Sequence, residues 1–318
     1  MKYSKIALKI WAAKEKGLIK TNAQFWSNFS NLDKIESLLS DDESEKIVGS
    51  LTNQYKDDEG VICAFDDEFP LINLNAKNSE KPFLLFYKGN IELLQNLNNN
   101  VAVIGLINPT QKIEDREKII VEELVKRDLV IVSGLAKGCD TIAHRTCVDN
   151  NGKTIAILPS QINKITPAAN KNLASEIISK GGLLLSEYYK DTTTRQEAIG
   201  RFVERDRLQA MFSKSIVLIA SYRKGEGDSG SRHAMTAATK YKIDRYVMYN
   251  DLSDKDDVQF GLNKEYVEEE YNGIEALTKN SIEYIKNTNN SYLAKKYDMC
   301  YSEQWRFFWL WIKDMFLI

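Results

Sequence analysis

The 318-residue sequence carries almost no net charge: 43 Lys plus Arg stand against 45 Asp plus Glu, leaving -2. No global positive field draws the chain onto nucleic acid or anionic lipid, so any anion site must be local. Cysteine is equally sparse. Cys63, Cys139, Cys147 and Cys300 are scattered with no C-x-x-C pair, which argues against a zinc knuckle, a redox motif or a disulfide framework and fits a reducing cytoplasm. Long apolar runs are missing too. Lys5 and Lys9 interrupt the start, so no signal peptide is expected. The most apolar stretch, Trp305 to Ile318, is broken by Arg306, Lys313 and Asp314 and falls short of the roughly 20 apolar residues of a membrane span. Only His144 and His233 are histidines, and neither sits in a G-x-S-x-G or H-E-x-x-H pattern. No catalytic constellation follows from them, and the expectation is a protein that is not an enzyme and holds no cofactor or metal.

What is present is ordinary globular material: 43% hydrophobic and 28% charged residues exclude disorder, collagen-like repeats and a coiled-coil rod. Residues 1–60 read as a small helical module, with apolar clusters at Ile6, Leu8, Ile10 and Trp11, at Phe25, Trp26 and Phe29, and at Ile35, Leu38 and Leu39. Two short strand-like runs, Val61–Phe65 and Phe83–Gly89, come next. A regular alternation then begins. Apolar runs of strand length at residues 101–104, 129–132, 154–158, 183–185, 215–219 and 245–249 are separated by helical stretches. Strands without internal alternation, separated by helices, predict an α/β fold: an extended Rossmann-like parallel sheet with helices on both faces. A helix over Ile274–Ile285 is expected to close this domain, which spans 61–288, and 289–318 reads as a linker and an aromatic-rich tail.

Right-handed crossovers place the carboxyl ends of such strands along one edge, where ligands of open sheets bind. Two loops there, Ser133–Gly138 and Ser221–Ser231, combine glycine, serine and a basic neighbour (Lys137, Arg232) before a helix. Unpaired amides and the helix dipole favour an anion at such a place, although tight βα turns use the same glycines. Gly225–Gly230 matches G-x-G-x-x-G but lies late in the chain, and Glu226 and Asp228 stand where a pyrophosphate must approach. A P-loop fails because Ser231-Arg232 replaces Lys-Ser/Thr. His144, four residues after Asp140, is expected to pair with it, while His233 faces the carboxyl edge.

Between Lys190 and Arg232 the charge turns locally positive, nine basic residues against six acidic. Arg201, Arg205 and Arg207 share one expected helix with Phe202 beside them. Such a group either tracks a phosphate backbone, with Phe202 stacking a base, or forms a solvated face balanced by Glu204 and Asp206.

Several of these segments fall in register with a known family. Ser133-Gly-Leu-Ala-Lys-Gly-Cys-Asp-Thr-Ile-Ala-His144, Gly152–Leu158, Pro167–Asn170, Gly182–Glu187, Phe202-Val-Glu-Arg-Asp-Arg207 and Ser229-Gly-Ser-Arg-His233 resemble the DprA/Smf family of DNA-processing proteins. The resemblance covers roughly residues 60–250. It implies a Rossmann-like domain that binds and protects single-stranded DNA and assists loading of a RecA-type recombinase in DNA uptake or recombination, as a cytoplasmic homodimer without a settled enzymatic reaction. By resemblance the anion pocket carries over to Ser133, Gly134, Lys137, Gly138, Asn170, Arg205, Arg207, Ser229, Gly230 and Ser231; Arg201, Phe202, Arg232 and His233 join it from their placement. The chain departs from the family at Ile107, where an arginine is usual, at Asp206, where an asparagine is usual, and at Thr166 and Ile219. These departures motivate an alternative: a sensor or processing enzyme for a small nucleotide.

Overall fold

The computed structural model describes residues 1–228, 230–268 and 273–287. Four helices come first: α1 (Lys5–Glu15), α2 (Asn22–Asn28), α3 (Leu32–Glu36) and α4 (Asp41–Thr52). Their starts are written in side chains that accept otherwise orphaned amide hydrogens. Ser4 caps α1, and at α4 Ser40 and Glu43 bond each other's backbone in a capping box. Trp11 of α1 is fully buried and meets Phe86 edge to face, with ring centroids 5.0 Å apart. The helical segment therefore shares its core with the sheet.

The chain continues through β1 (Glu59–Cys63), β2 (Leu84–Gly89), β3 (Asn100–Ile104), α5 (Gln111–Val125), β4 (Val130–Ser133), α6 (Cys139–Asp149), β5 (Thr154–Ile157), α7 (Lys171–Ser179) and β6 (Leu183–Ser186). It then runs through α8 (Arg195–Met211), β7 (Ser215–Leu218), α9 (Arg232–Tyr241), β8 (Asp244–Val247), α10 (Asp251–Asp254), α11 (Gly261–Glu268), β9 (Ile274–Ala276) and α12 (Lys279–Asn287). The nine strands form one sheet ordered β1-β2-β6-β5-β4-β3-β7-β8-β9. From β6 across to β9 neighbours are parallel, and up to the β9 edge their side chains are buried on both faces except at Asp244, which opens β8. Each Val, Leu or Ile so enclosed contributes about 1.5–3 kcal/mol relative to an exposed one. The α/β architecture expected from unalternating apolar strands is the one found.

Two features differ from the sequence reading. β2 lies antiparallel between β1 and β6, so the two early strands extend the same sheet in the opposite sense. Ile274–Ala276 is a strand instead of helix, because it pairs with Arg245–Val247 and completes the edge, and the helix starts only at Lys279. No helix among the described residues is long and apolar enough to cross a membrane. The expected linker and tail lie outside the described residues.

The order of the strands fixes where a ligand can enter. After β3 the chain winds outward through β4, β5 and β6, then returns to the other side of β3 for β7. The carboxyl ends of β3 and β7 thus flank a topological switch point, where the loops leave in opposite directions and open a crevice.

Candidate nucleic-acid interface at the switch point

That crevice holds a cavity of about 370 Å³. Ile104, Gly105 and Ile107 line it from the end of β3, Ala136, Lys137 and Asp140 from the β4–α6 junction, and Asp228, Gly230, Ser231, His233 and Ala234 from the β7–α9 junction. Ile199, Phe202, Val203, Arg205, Asp206 and Gln209 of α8 close the remaining side. The α8 residues repeat at helical spacing along one face. Phe202 is the apolar member of this face expected from sequence; Ile199 and Val203, at the same helical spacing, join it in the structure.

The loops owe their shape to internal bonds. Ser133 Oγ donates to the carbonyl of Val103 at 2.7 Å, tying the end of β4 to β3. Asp140 Oδ2 accepts from the amides of Gly134 and Ala136, both at 3.2 Å. The protein's own carboxylate therefore takes up two amides of the loop that leads into α6. Asn170 donates to the carbonyl of Leu135 at 2.9 Å and to Thr141 Oγ1 at 2.8 Å, bracing the loop from α7's side. Gly138 has φ +72°, and a Cβ there would lie 2.2 Å from the carbonyl oxygen of Leu106, so the close crossing of the two loops requires glycine. Asp228 joins the other pair of loops: its Oδ2 accepts from the Ile107 amide at 2.9 Å and its Oδ1 from the Gly230 amide at 3.2 Å.

Arg205 lies at the floor, 3% exposed. Its guanidinium fills the space over Gly134, where a Cβ would sit 1.1 Å from Nη1. Asp140 is 3.6 Å from Nη1 and Asp206 3.5 Å from Nε, too far for well-made hydrogen bonds. Nε and Nη1 are buried without a hydrogen-bond acceptor among the described residues. Gln209 donates to Asp206 Oδ1 at 3.0 Å, while its own Oε1 and the Ser231 hydroxyl are buried and find no partner among the described residues. Burial, against the pull of Arg205, pushes the Asp206 carboxyl up to about 7. Beneath the floor, His144 is not paired with Asp140. Its Nδ1 meets Thr154 Oγ1 at 2.7 Å, and burial together with nearby Arg205 takes its pKa down to about 3. The sheet encloses it completely, which outweighs the helical spacing.

Of the residues singled out in the sequence, the structure gathers Lys137, Phe202, Arg205, Gly230, Ser231 and His233 around this cavity, with Gly134 under Arg205. Ser133, Gly138 and Asn170 shape the loop below. Arg232 follows Ser231 at the start of α9, its Nη1 buried and without a partner among the described residues. Ser229 lies outside the described residues. Arg201 and Arg207 are elsewhere. Arg201 donates to Glu197 at 2.7 Å and to the Lys190 carbonyl at 2.6 Å, and its guanidinium lies 4.3 Å from the Tyr188 ring centroid, beside a second cavity near α1. Arg207 donates to Glu187 at 2.7 Å and to the Glu80 carbonyl at 2.8 Å. All three arginines thus have carboxylate neighbours, and only Arg205 faces the switch-point cavity.

Comparison with known proteins follows the same outline. The sequence profile of the family described as DNA recombination-mediator protein A matches residues 60–290. The DNA processing protein DprA of Streptococcus pneumoniae is 38% identical over 148 residues, 46% of this chain and 50% of that protein. Protein Smf of Synechocystis is 30% identical over 218 residues, 65% of this chain and 52% of its own length. The chain spans about half the length of these curated relatives. Among solved structures, that of DprA from Streptococcus pneumoniae superposes with a TM-score of 0.65 at 23% identity, covering 89% of this chain and 97% of the other. DNA processing protein A from Helicobacter pylori, described for its single-stranded DNA binding mode, gives 0.56 at 26% identity, covering 71% and 97%.

Proposed function

Because the chain belongs to the DNA recombination-mediator protein A family, we propose that it binds single-stranded DNA along the carboxyl edge of its sheet, over the switch-point cavity. The observation that carries the reading is Arg205, a buried cation whose Nε and Nη1 find no acceptor among the described residues. A buried charge left so incompletely bonded is costly, and an entering ligand relieves it. Around this floor, exposed Lys137 and the start of α9 with Arg232 offer contacts to phosphates, which position a strand without reading it. Phe202 and the aliphatic wall offer a surface to a base. Ser133, Gly138 and Asn170 act here by holding the loop, and Arg201 and Arg207 act through the position of α8. The Helicobacter relative's description supports the ligand class.

The same family likeness extends the proposal to a cytoplasmic homodimer that protects the strand and assists a RecA-type recombinase, with no catalysed reaction. Titrating labelled oligothymidylate in rising salt tests the binding: log affinity falls against log salt by about 0.7 for each phosphate neutralised. Absent or salt-independent binding contradicts it. A second reading, a free small nucleotide as ligand, has one observation in its favour: Asp140, Asp206 and Asp228 outnumber the cations Lys137 and Arg205 that line the cavity, whereas a long polyanion calls for positive excess. Thermal stabilisation by mononucleotides but not by oligonucleotides supports that reading instead.

A further inference from the structure

Resting on the single-strand reading above, the geometry points to a base-reading cavity in which Asp206 and Arg205 select guanine from the bound strand. A phosphate is poorly suited to its interior. The lining carries three carboxylates against two cations, and Ile107, Ile199, Phe202 and Val203 give it an apolar wall. Such a wall suits the face of a base, while phosphate oxygens lose hydration against it. The volume of about 370 Å³ lies at the small end of ligand cavities, roughly 300–1,000 Å³, and suits one base.

The unused hydrogen-bonding groups narrow the choice. Asp140 and Asp228 already accept from backbone amides of the loops they shape. Among the described residues Asp206 accepts a hydrogen bond only from the Gln209 side-chain amide, on Oδ1, the oxygen that also lies 3.5 Å from Arg205 Nε, so Oδ2 is left without a donor. Gln209 Oε1 is a second acceptor without a partner among the described residues, and Arg205, one helical turn before it, carries Nε and Nη1 likewise unpartnered; all three atoms are closed to solvent, so a base reaches them only as these side chains turn towards it. A complement to this array presents adjacent donors beside an acceptor. Guanine does so, with N1–H and the N2 amino group next to O6. Cytosine and adenine each offer one amino group, and thymine one N–H between two carbonyls. Arginine is also the usual partner of guanine O6 and N7.

Asp206 must be ionised to accept both guanine donors. The groups facing or sharing its surroundings are Arg205 and Gln209 on α8, Asp140 on α6, Asp228 before α9, and Lys137 and His233 across the cavity. His233, lowered by burial and then by Arg232, is neutral at pH 7. With Asp206 titrating at about 7, the guanine preference fades as the pH falls below that point. Attraction for the strand as a polyanion grows over the same interval, so the two effects run in opposite directions.

The experiment measures full-chain affinity for oligothymidylate, for the same oligomer with one central guanine, and for one with hypoxanthine there, which lacks the N2 amino group. Near pH 8 the guanine oligomer is expected to bind roughly tenfold tighter than oligothymidylate or more, and hypoxanthine to forfeit most of that gain. Asp206→Asn is expected to bind oligothymidylate more tightly and to lose the guanine increment; its folding is checked by thermal unfolding. Equal affinity for all three oligomers in the parent protein overturns the inference while leaving single-strand binding intact. So does a guanine increment that survives in Asp206→Asn or persists unchanged at pH 6. No binding to any oligomer overturns the single-strand reading itself.

Discussion

Replacing Asp206 by asparagine tests the electrostatics of the cavity without any ligand. The Asp206 side chain is 15% exposed, and burial is the main reason its carboxyl titrates near 7 instead of the usual 3.8, with Asp140 as a further negative neighbour and Arg205 opposing. A carboxyl raised in the fold stabilises the native state at acid pH relative to neutral. Its contribution is complete below about 4 and is lost as the pH rises through about 7. At about 1.4 kcal/mol for each tenfold in proton affinity, an ionised Asp206 costs the fold about 4 kcal/mol near pH 8. Asparagine removes that cost but also one neighbour of Arg205, so the variant is expected to gain about 2 kcal/mol or more near pH 8 and almost nothing near pH 3.5, below the range in which the unfolded carboxyl ionises. Urea unfolding of parent and variant at both pH values reads the difference directly. The difference between the two proteins is the informative quantity, because Asp66 and Asp244 are also raised by burial and shape the parent's own profile. An equal offset at both pH values refutes the reasoning and means that Asp206 ionises as an ordinary, solvated carboxylate.

Gly134→Ala places a methyl group where Arg205 Nη1 sits. The guanidinium must leave its seat, and single-strand affinity is expected to fall about tenfold or more while far-ultraviolet dichroism stays unchanged; parental affinity removes Arg205 from the site. Arg207→Ala leaves Glu187 without its cation and frees the Glu80 carbonyl, with an expected loss of about 3 kcal/mol in urea unfolding. A stability change below about 0.5 kcal/mol contradicts the anchoring role. Glu117 is fully buried with the Cys139 thiol as its side-chain neighbour and no cation bonded to it among the described residues, and burial raises its pKa well above the usual range. Glu117→Gln is therefore expected to match the parent within about 1 kcal/mol near pH 4 and to gain on it steadily as the pH rises above about 5, a trend that thermal unfolding across pH checks and a flat difference contradicts.

Much of the architecture was legible because burial on both faces leaves an unmistakable trace: Val101–Ile104, Leu129–Val132 and Ser215–Ile219 admit no polar alternation and lie at the centre of the sheet. Short edge elements were not. Ile274–Ala276 carries three residues of pattern, too few to distinguish strand from helix, and only its pairing to β8 decides. At the candidate site, glycine and serine before a helix marked the loops that line the switch-point cavity. Charge alone misled about what occupies them. Asp140 and Asp228 fold back onto the amides that an external anion would use, and whether a carboxylate three or more residues away does this depends on loop geometry that spacing does not encode. The three arginines read alike in sequence, yet Arg201 and Arg207 meet carboxylates outside the cavity while Arg205 turns inward.

Where a strand lies on the protein decides whether the switch-point cavity is its binding site. Photo-crosslinking of a single-stranded oligonucleotide carrying a reactive base, followed by peptide mapping, addresses this in one step. Adducts are expected in the segments 105–107, 134–140, 199–209 and 228–235, with Phe202 among the modified residues. Adducts confined to α1 and the Tyr188–Arg201 cavity, or scattered without preference, contradict the placement of DNA over the switch point.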